Sequence, residues 1–188
     1  MNGLWRFLVR PRGGGLPREG QLAPDFRLSD GEGVWRSLAD YRGRWLVLYF
    51  YPRDHTPGCT REACALRDAH AGFAALEVAV LGVSLDSPER HAAFARRHGL
   101  PFPLLSDGEG RVARAYGALA DWGVLRFARR YSFLIDPQGR VARVYTRVKP
   151  VRHAGELLAD LATRADPPGE AAASSMGMSH PDDPAMPS

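Results

Sequence analysis

Cysteine is almost missing from this chain of 188 residues: there are two, Cys59 and Cys64. A miniature fold stapled by disulfides is thereby excluded. Lysine is scarcer still, with Lys149 alone, so arginine supplies the positive surface charge. No apolar run approaches the roughly 18 residues that a membrane-spanning helix needs. Residues 1–10 hold too short an apolar stretch for a secretory signal, and no small-residue cleavage site follows. Neither export nor stable membrane association is expected. Also missing is any block of Lys and Arg interleaved with aromatics, so nucleic-acid binding is not expected despite a net charge of +4. That charge is uneven. Residues 166–188 carry four acids and no Lys or Arg, which leaves 25 basic against 17 acidic groups, or +8, on residues 1–165.

What is present is the composition of a folded domain, 45% apolar and 24% charged. The chain divides into an N-terminal arm (1–19), one domain (20–165) and a tail (166–188). The tail holds 5 of the 15 prolines and no aromatic residue. It has too little apolar surface to offset its ordering entropy and is expected to be disordered. The arm ends in the flexible Pro11-Arg12-Gly13-Gly14-Gly15, and its Leu4, Trp5, Phe7, Leu8 and Val9 are expected to pack on the domain.

Within the domain, apolar residues 45–51 and 78–85 form continuous runs, the pattern of strands buried on both faces. A helix is expected from about Thr60, with Ala63, Leu66, His70 and Phe73 on one face. Ser87 and Pro88 open another, as N-cap and first helical residue, and Gly99 ends it after His98. Residues 102–105 suggest a short strand and 109–116 a helix. Residues 131–135 and 141–145 suggest a hairpin turning at Asp136-Pro137-Gln138-Gly139, and 153–164 a closing helix. The expected fold is α/β and thioredoxin-like, a mixed central β-sheet flanked by helices.

The chemistry concentrates where the first buried strand ends, in Tyr51-Pro52-Arg53-Asp54-His55-Thr56-Pro57-Gly58-Cys59. Cys59 falls where a loop becomes a helix, and free N–H groups and the helix dipole stabilise an anion there. A thiol with an ordinary pKa of about 8.5 is lowered in such places, so Cys59 is expected to be largely thiolate. Thr56 is placed to aim its hydroxyl at the sulfur or at an incoming oxygen. Pro52 and Pro57 stiffen the loop, Pro52 shields the sulfur, and Gly58 leaves the backbone open to a small ligand. Arg61 and Glu62 are expected to be a solvated first-turn pair. On an unbroken helix the Cys59 and Cys64 Cα atoms stand about 8.7 Å apart, beyond the bridging limit of about 7 Å, so a disulfide demands unwinding. Taken alone, Cys64 on the Ala63 and Leu66 side reads more often as an inert buried thiol than as a reactive one. A metal pair completed by His55 or His70 is conceivable, but the spacing matches no common zinc pattern.

The segment Pro52-x-x-x-Thr56-x-x-Cys59 resembles the peroxiredoxin active-site motif, and Cys64, after four intervening residues, resembles the resolving cysteine of the bacterioferritin-comigratory-protein or peroxiredoxin Q subfamily. The resemblance runs from about Gly20 to Ala165. Gln21 to Leu28 is similar to the family's opening strand, and Arg130 before Ser132-Phe133-Leu134-Ile135-Asp136 to its active-site arginine; Arg129 is out of register and expected at the surface. His55 departs from the small polar or acidic residue usual there, and residues 118–128 form a shorter loop than usual. The resemblance implies a thiol peroxidase without cofactor or metal. Cys59 would reduce hydrogen peroxide or an alkyl hydroperoxide through a sulfenic acid, with Arg130, the Thr56 hydroxyl and the Cys59 N–H as donors to the leaving oxygen. Cys64 would then form the disulfide, and a thioredoxin-type or glutaredoxin-type dithiol would reduce it. A monomer or weak dimer in the reducing cytoplasm is implied. Two other functions compete. A dithiol oxidoreductase would need the Cys-x-x-Cys spacing this chain lacks, and a thioredoxin-fold copper-assembly protein leaves Pro52, Thr56 and Arg130 unexplained.

Overall fold

The continuous apolar run after Trp45 becomes β3 (Leu46–Phe50), in which every residue is buried. The computed structural model describes residues 15–164. The expectations for most of the arm and for the tail fall outside them. A seven-stranded sheet runs in the order β2 (Trp35–Ser37), β1 (Arg27–Asp30), β5 (Leu104–Ser106), β4 (Ala79–Ser84), β3, β8 (Tyr131–Ile135), β9 (Val141–Tyr145). β3 pairs in parallel with β4 and antiparallel with β8, and β4 is parallel to β5, so the sheet is mixed as expected.

Both faces of the central strands are covered, which is why they show no polar alternation. Leu46, Leu48 and Phe50 point to one face with Leu81, Val83 and Phe133, under Tyr41, Val112 and Tyr116. Val47, Tyr49 and Tyr51 point to the other, where α1 (Pro57–Asp68), α3 (Pro88–His98) and α5 (His153–Ala162) supply Cys59, Ala63, Leu66, Phe94, Leu157 and Leu161. Cys59 therefore belongs to a helix packed on the sheet.

Several boundaries need correction. The helix expected from about Thr60 starts at Pro57, because proline suits the first helical position and extended Thr56 supplies the cap carbonyl. It stops at Asp68, and α2 (His70–Ala75) follows as a separate short helix. The short strand expected at 102–105 is shifted to β5, and the helix expected at 109–116 shrinks to α4 (Arg111–Ala115). Residues 118–128 are not a plain loop: β6 (Leu119–Asp121) and β7 (Arg126–Ala128) pair as a separate antiparallel hairpin. The Ser87 cap, the left-handed Gly99 (φ 59°) and the turn at Gly139 (φ 75°) stand where expected.

Candidate active site

The turn between β3 and α1 carries the cysteine, and the topology brings an arginine to it. Phe50 pairs with Tyr131 across the β3–β8 ladder, so Arg130 leaves β8 beside the point where the chain leaves β3. Its Nη2 donates to Cys59 Sγ at 3.3 Å, and its Nη1 donates to Glu62 Oε2 in an ion pair. Cys59 is 2% exposed, so the sulfur's surroundings are protein rather than bulk water. Gly58 makes room for the guanidinium, since a Cβ there would lie 3.2 Å from Arg130 Nη2. Arg129, one residue earlier, is exposed.

Cys59 is the third residue of α1. The N–H groups of the first turn have no intrahelical partner, and the Thr56 side chain does not cap them. They add partial positive charge to the full charge of Arg130 beside the sulfur. The Thr56 hydroxyl differs from expectation: it donates to the Arg53 carbonyl oxygen at 3.0 Å. Its proton is thus turned back into the loop, and its lone pairs are what it can offer an arriving hydroxyl or hydroperoxide. Half-buried Pro52 lines a cavity of about 290 Å³ with Arg53, Leu85, Asp86, Gly108, Val124 and Arg126. The β6–β7 hairpin thereby forms one wall beside the active-site turn.

Cys64 is a half-buried free thiol further along the same helix. Because α1 is unbroken between the two cysteines, their Cα atoms stand about 8.7 Å apart, too far to bridge without unwinding. His55 is exposed with a left-handed φ of 61° and stacks edge-on against Phe94. Among the described residues no group of three or more His, Cys, Asp or Glu side chains is arranged to hold a metal ion.

Glu62 overturns the solvated-pair expectation. Arg61 is exposed, but Glu62 is completely buried. The signal was available, because a residue three positions after Cys59 shares its helix face, and that face is the packed one. Burial pushes the Glu62 carboxyl from 4.5 up to about 7, against the pull of Arg130. Its Oε1 has no hydrogen-bond partner. Burial also works against the Arg130 cation, yet the negative charges of Glu62 and Cys59 outweigh it and raise its pKa. Tyr49 is the other residue that sequence reasoning left in the core. Its buried hydroxyl is unpartnered, and burial, followed by the charges of Glu62, Asp54 and Cys59, pushes its pKa well up.

Known proteins share this arrangement of elements and much of this sequence. The AhpC/TSA family model matches residues 20–144. Peroxiredoxin Bcp of Bacillus subtilis is 44% identical over 149 residues, covering 76% of this chain and 93% of its own. The crystal structure of peroxidoxin BcpB from Mycobacterium tuberculosis superimposes with a TM-score of 0.76 at 33% identity, covering 80% of this chain and 99% of its own. The Xanthomonas campestris bacterioferritin comigratory protein, studied for alkyl peroxide reduction, superimposes with a TM-score of 0.73 at 34% identity, covering 79% of this chain and 100% of its own.

Proposed function

The chain belongs to the AhpC/TSA family and is a thiol-dependent peroxidase of the Bcp and peroxiredoxin Q kind, and from that premise we propose how its own residues divide the reaction. Cys59 is the peroxidatic cysteine. Its thiolate attacks one peroxide oxygen; an S–O bond forms as the O–O bond breaks, and the displaced hydroxide or alkoxide takes up a proton from solvent and leaves as water or alcohol. The sulfur is oxidised to a sulfenic acid and the peroxide is reduced. The observation that carries this reading is the 3.3 Å contact of Arg130 Nη2 with Cys59 Sγ at the N-terminal turn of α1. The same guanidinium and the free first-turn N–H groups, that of Cys59 included, are fixed donors for the charge developing on the leaving oxygen. Thr56 accepts a hydrogen bond from the peroxide, which orients it, while its own hydroxyl donates to the Arg53 carbonyl oxygen. Pro52 shapes the entrance, and Glu62 aligns Arg130.

Cys64 then condenses with the sulfenic acid: an S–S bond forms and water leaves. The step requires α1 to unwind between the two cysteines. A thioredoxin-type dithiol reduces that disulfide by exchange, becoming a disulfide itself. The cycle needs a reducing compartment, and we assign the protein to the cytoplasm as a monomer or weak dimer. No helix of the described residues is long and apolar enough to cross a membrane. A copper-assembly role, the competing function, leaves the Arg130–Glu62 pair without a task.

Intact mass after one equivalent of hydrogen peroxide tests the scheme. The reduced parent should lose two hydrogens, Cys64→Ser should gain one oxygen, and Cys59→Ser should not change. An unchanged parent mass would overturn the assignment of Cys59, and an oxygen gain in Cys59→Ser would transfer the peroxidatic role to Cys64.

A further inference from the structure

A second group of buried polar side chains joins the active-site turn to a distant helix. Asp54 lies in the turn between Pro52 and Thr56, and it is 1% exposed although Arg53 and His55 on either side are exposed. Its Oδ1 accepts from the Tyr51 hydroxyl at 2.7 Å, and its Oδ2 lies 2.8 Å from Nδ1 of His91 on α3. His91 is completely buried, and its Nε2 lies 3.2 Å from the Leu105 carbonyl oxygen.

Counting protons explains how these groups can be buried together. The Leu105 carbonyl can only accept, so His91 Nε2 carries a hydrogen. One further proton lies between Nδ1 and Oδ2. Whether nitrogen or oxygen holds it, the pair has no net charge and both ring nitrogens and both carboxylate oxygens have partners. Such a network is rigid when complete and costly when one member is lost.

The backbone is gripped from the same side. The Asp54 N–H donates to Asp86 Oδ2 at 2.7 Å; that oxygen also accepts from Ser84 Oγ at 2.9 Å, and Asp86 Oδ1 accepts from Arg90 Nε at 2.9 Å. Arg90 and His91 are consecutive residues in the first turns of α3. Side chain and main chain of one loop residue are thus both tied to the β4–α3 junction. The next residue, His55, sits at a φ of 61°, a left-handed conformation that brings a non-glycine Cβ too close to the following carbonyl oxygen. A turn with such a residue needs outside contacts to hold it. Immediately after it come Thr56, Pro57 and Cys59, so whatever fixes Asp54 fixes the start of α1.

We propose that His91, acting through Asp54, is a positioning residue for Cys59: it latches the active-site turn so that the sulfur faces Arg130, and its release lets the first turn of α1 open. The proposal rests on the peroxidase reading for its consequence on rate, but the latch has a readout of its own.

Two substitutions separate the two hydrogen bonds of the ring. Asn places an amide nitrogen near the position of Nδ1 and can still donate to Asp54; Gln places one near Nε2 and can still donate to Leu105 O. Both are made in the Cys64→Ser background, and each is measured for single-turnover oxidation of Cys59 by hydrogen peroxide and for alkylation of Cys59 by iodoacetamide. Losing a buried hydrogen bond and leaving its partner unsatisfied shifts an equilibrium by between about 10- and 100-fold. For His91→Gln, peroxide oxidation should slow and alkylation should quicken, each by about tenfold or more. His91→Asn should recover both rates to within about threefold of the background protein. General loosening of the core would not separate Asn from Gln. Should His91→Gln not fold, Asp54→Ala removes the latch from the loop side and should give the same opposed changes. Equal effects of Asn and Gln, or alkylation that does not rise when oxidation falls, would overturn the latch. A Cys64→Ser background that ignores peroxide would instead refute the peroxidase scheme, and the alkylation rates would still decide the latch.

Discussion

Replacing Glu62 by Gln should make the protein more stable above neutral pH and a poorer peroxidase at the same time. Glu62 is completely buried and ionises at about 7, against 4.5 for an ordinary glutamate in the same scale. Between those values the native state holds a proton that the unfolded chain has released, so native stability falls as pH rises through the window. The stabilisation is full below about 4.5 and gone above about 7. A separation of about 2.5 pH units corresponds to roughly 3 kcal/mol at 1.36 kcal/mol per unit. Gln has the shape of the protonated acid and can accept from Arg130 Nη1 through its amide oxygen, but it cannot ionise. Urea unfolding of the reduced parent and of Glu62→Gln should therefore give nearly equal stabilities at pH 5. By pH 8 the variant should be ahead by about 2–3 kcal/mol. Activity should move the other way. Only the ionised carboxylate holds the guanidinium by charge, so the variant's rate with peroxide at pH 8 should be lower by about tenfold. On acidification through about 7 the parent takes up the proton and the ratio of rates should narrow. Parallel stability curves, or a rate ratio independent of pH, would refute the placement of a buried, proton-exchanging carboxylate behind Arg130.

Arg130→Lys should lower the second-order rate constant with hydrogen peroxide by about 100-fold or more in stopped-flow measurements. A single ammonium cannot hold Cys59 Sγ and Glu62 Oε2 as the two arms of the guanidinium do, and an unaltered rate would remove Arg130 from the site. Gly82→Ala should destabilise by about 1–3 kcal/mol in urea unfolding. The added Cβ would lie 2.6 Å from Leu104 Cδ2 and 2.7 Å from Tyr49 Cζ, and a neutral result would mean that this layer behind Cys59 is looser than its geometry indicates.

How far the sequence discloses this molecule depends on the range of the interactions concerned. β3 and β4 are legible because burial on both faces leaves an unbroken apolar run, and α3 because Ser87, Pro88 and Gly99 mark its ends locally. β1, β2 and the β6–β7 hairpin are short, three or four residues each, and take their strand character from their partners rather than from their own composition. Cys59, Thr56 and Pro52 are legible within one loop, whereas Arg130 is placed by the family resemblance alone. Glu62 is masked by its neighbour: Arg61 and Glu62 look like an exposed ion pair, although the three-residue spacing from Cys59 puts Glu62 on the packed face of α1. Asp54 and His91 are hidden by distance, since nothing in a loop aspartate announces that its partner lies 37 residues away.

In the proposed scheme, the contacts that make Cys59 competent towards peroxide are also those that keep it from Cys64. Its burial, the Arg130 contact and the helical turn that presents free N–H groups all belong to a folded α1. The disulfide requires that the same turn be undone. The helix is not held equally along its length. Beyond Cys64, Leu66 is completely buried and Arg67 Nη1 donates to the His98 carbonyl oxygen at 2.7 Å, which ties that end to the last residue of α3. Before Cys59, the chain is tied through Asp54 to the opposite end of α3. One helix thus anchors both ends of the segment containing the two cysteines, and the end carrying a left-handed non-glycine residue is the one with strain to release. On the proposed cycle, opening from the Thr56 end would leave the Leu66 and Arg67 anchors in place, so that Cys59 would travel towards a Cys64 that stays put. In that scheme, converting the attacking thiolate to a neutral sulfenic acid would weaken the Arg130 contact with Cys59 Sγ, one of the contacts that oppose this motion.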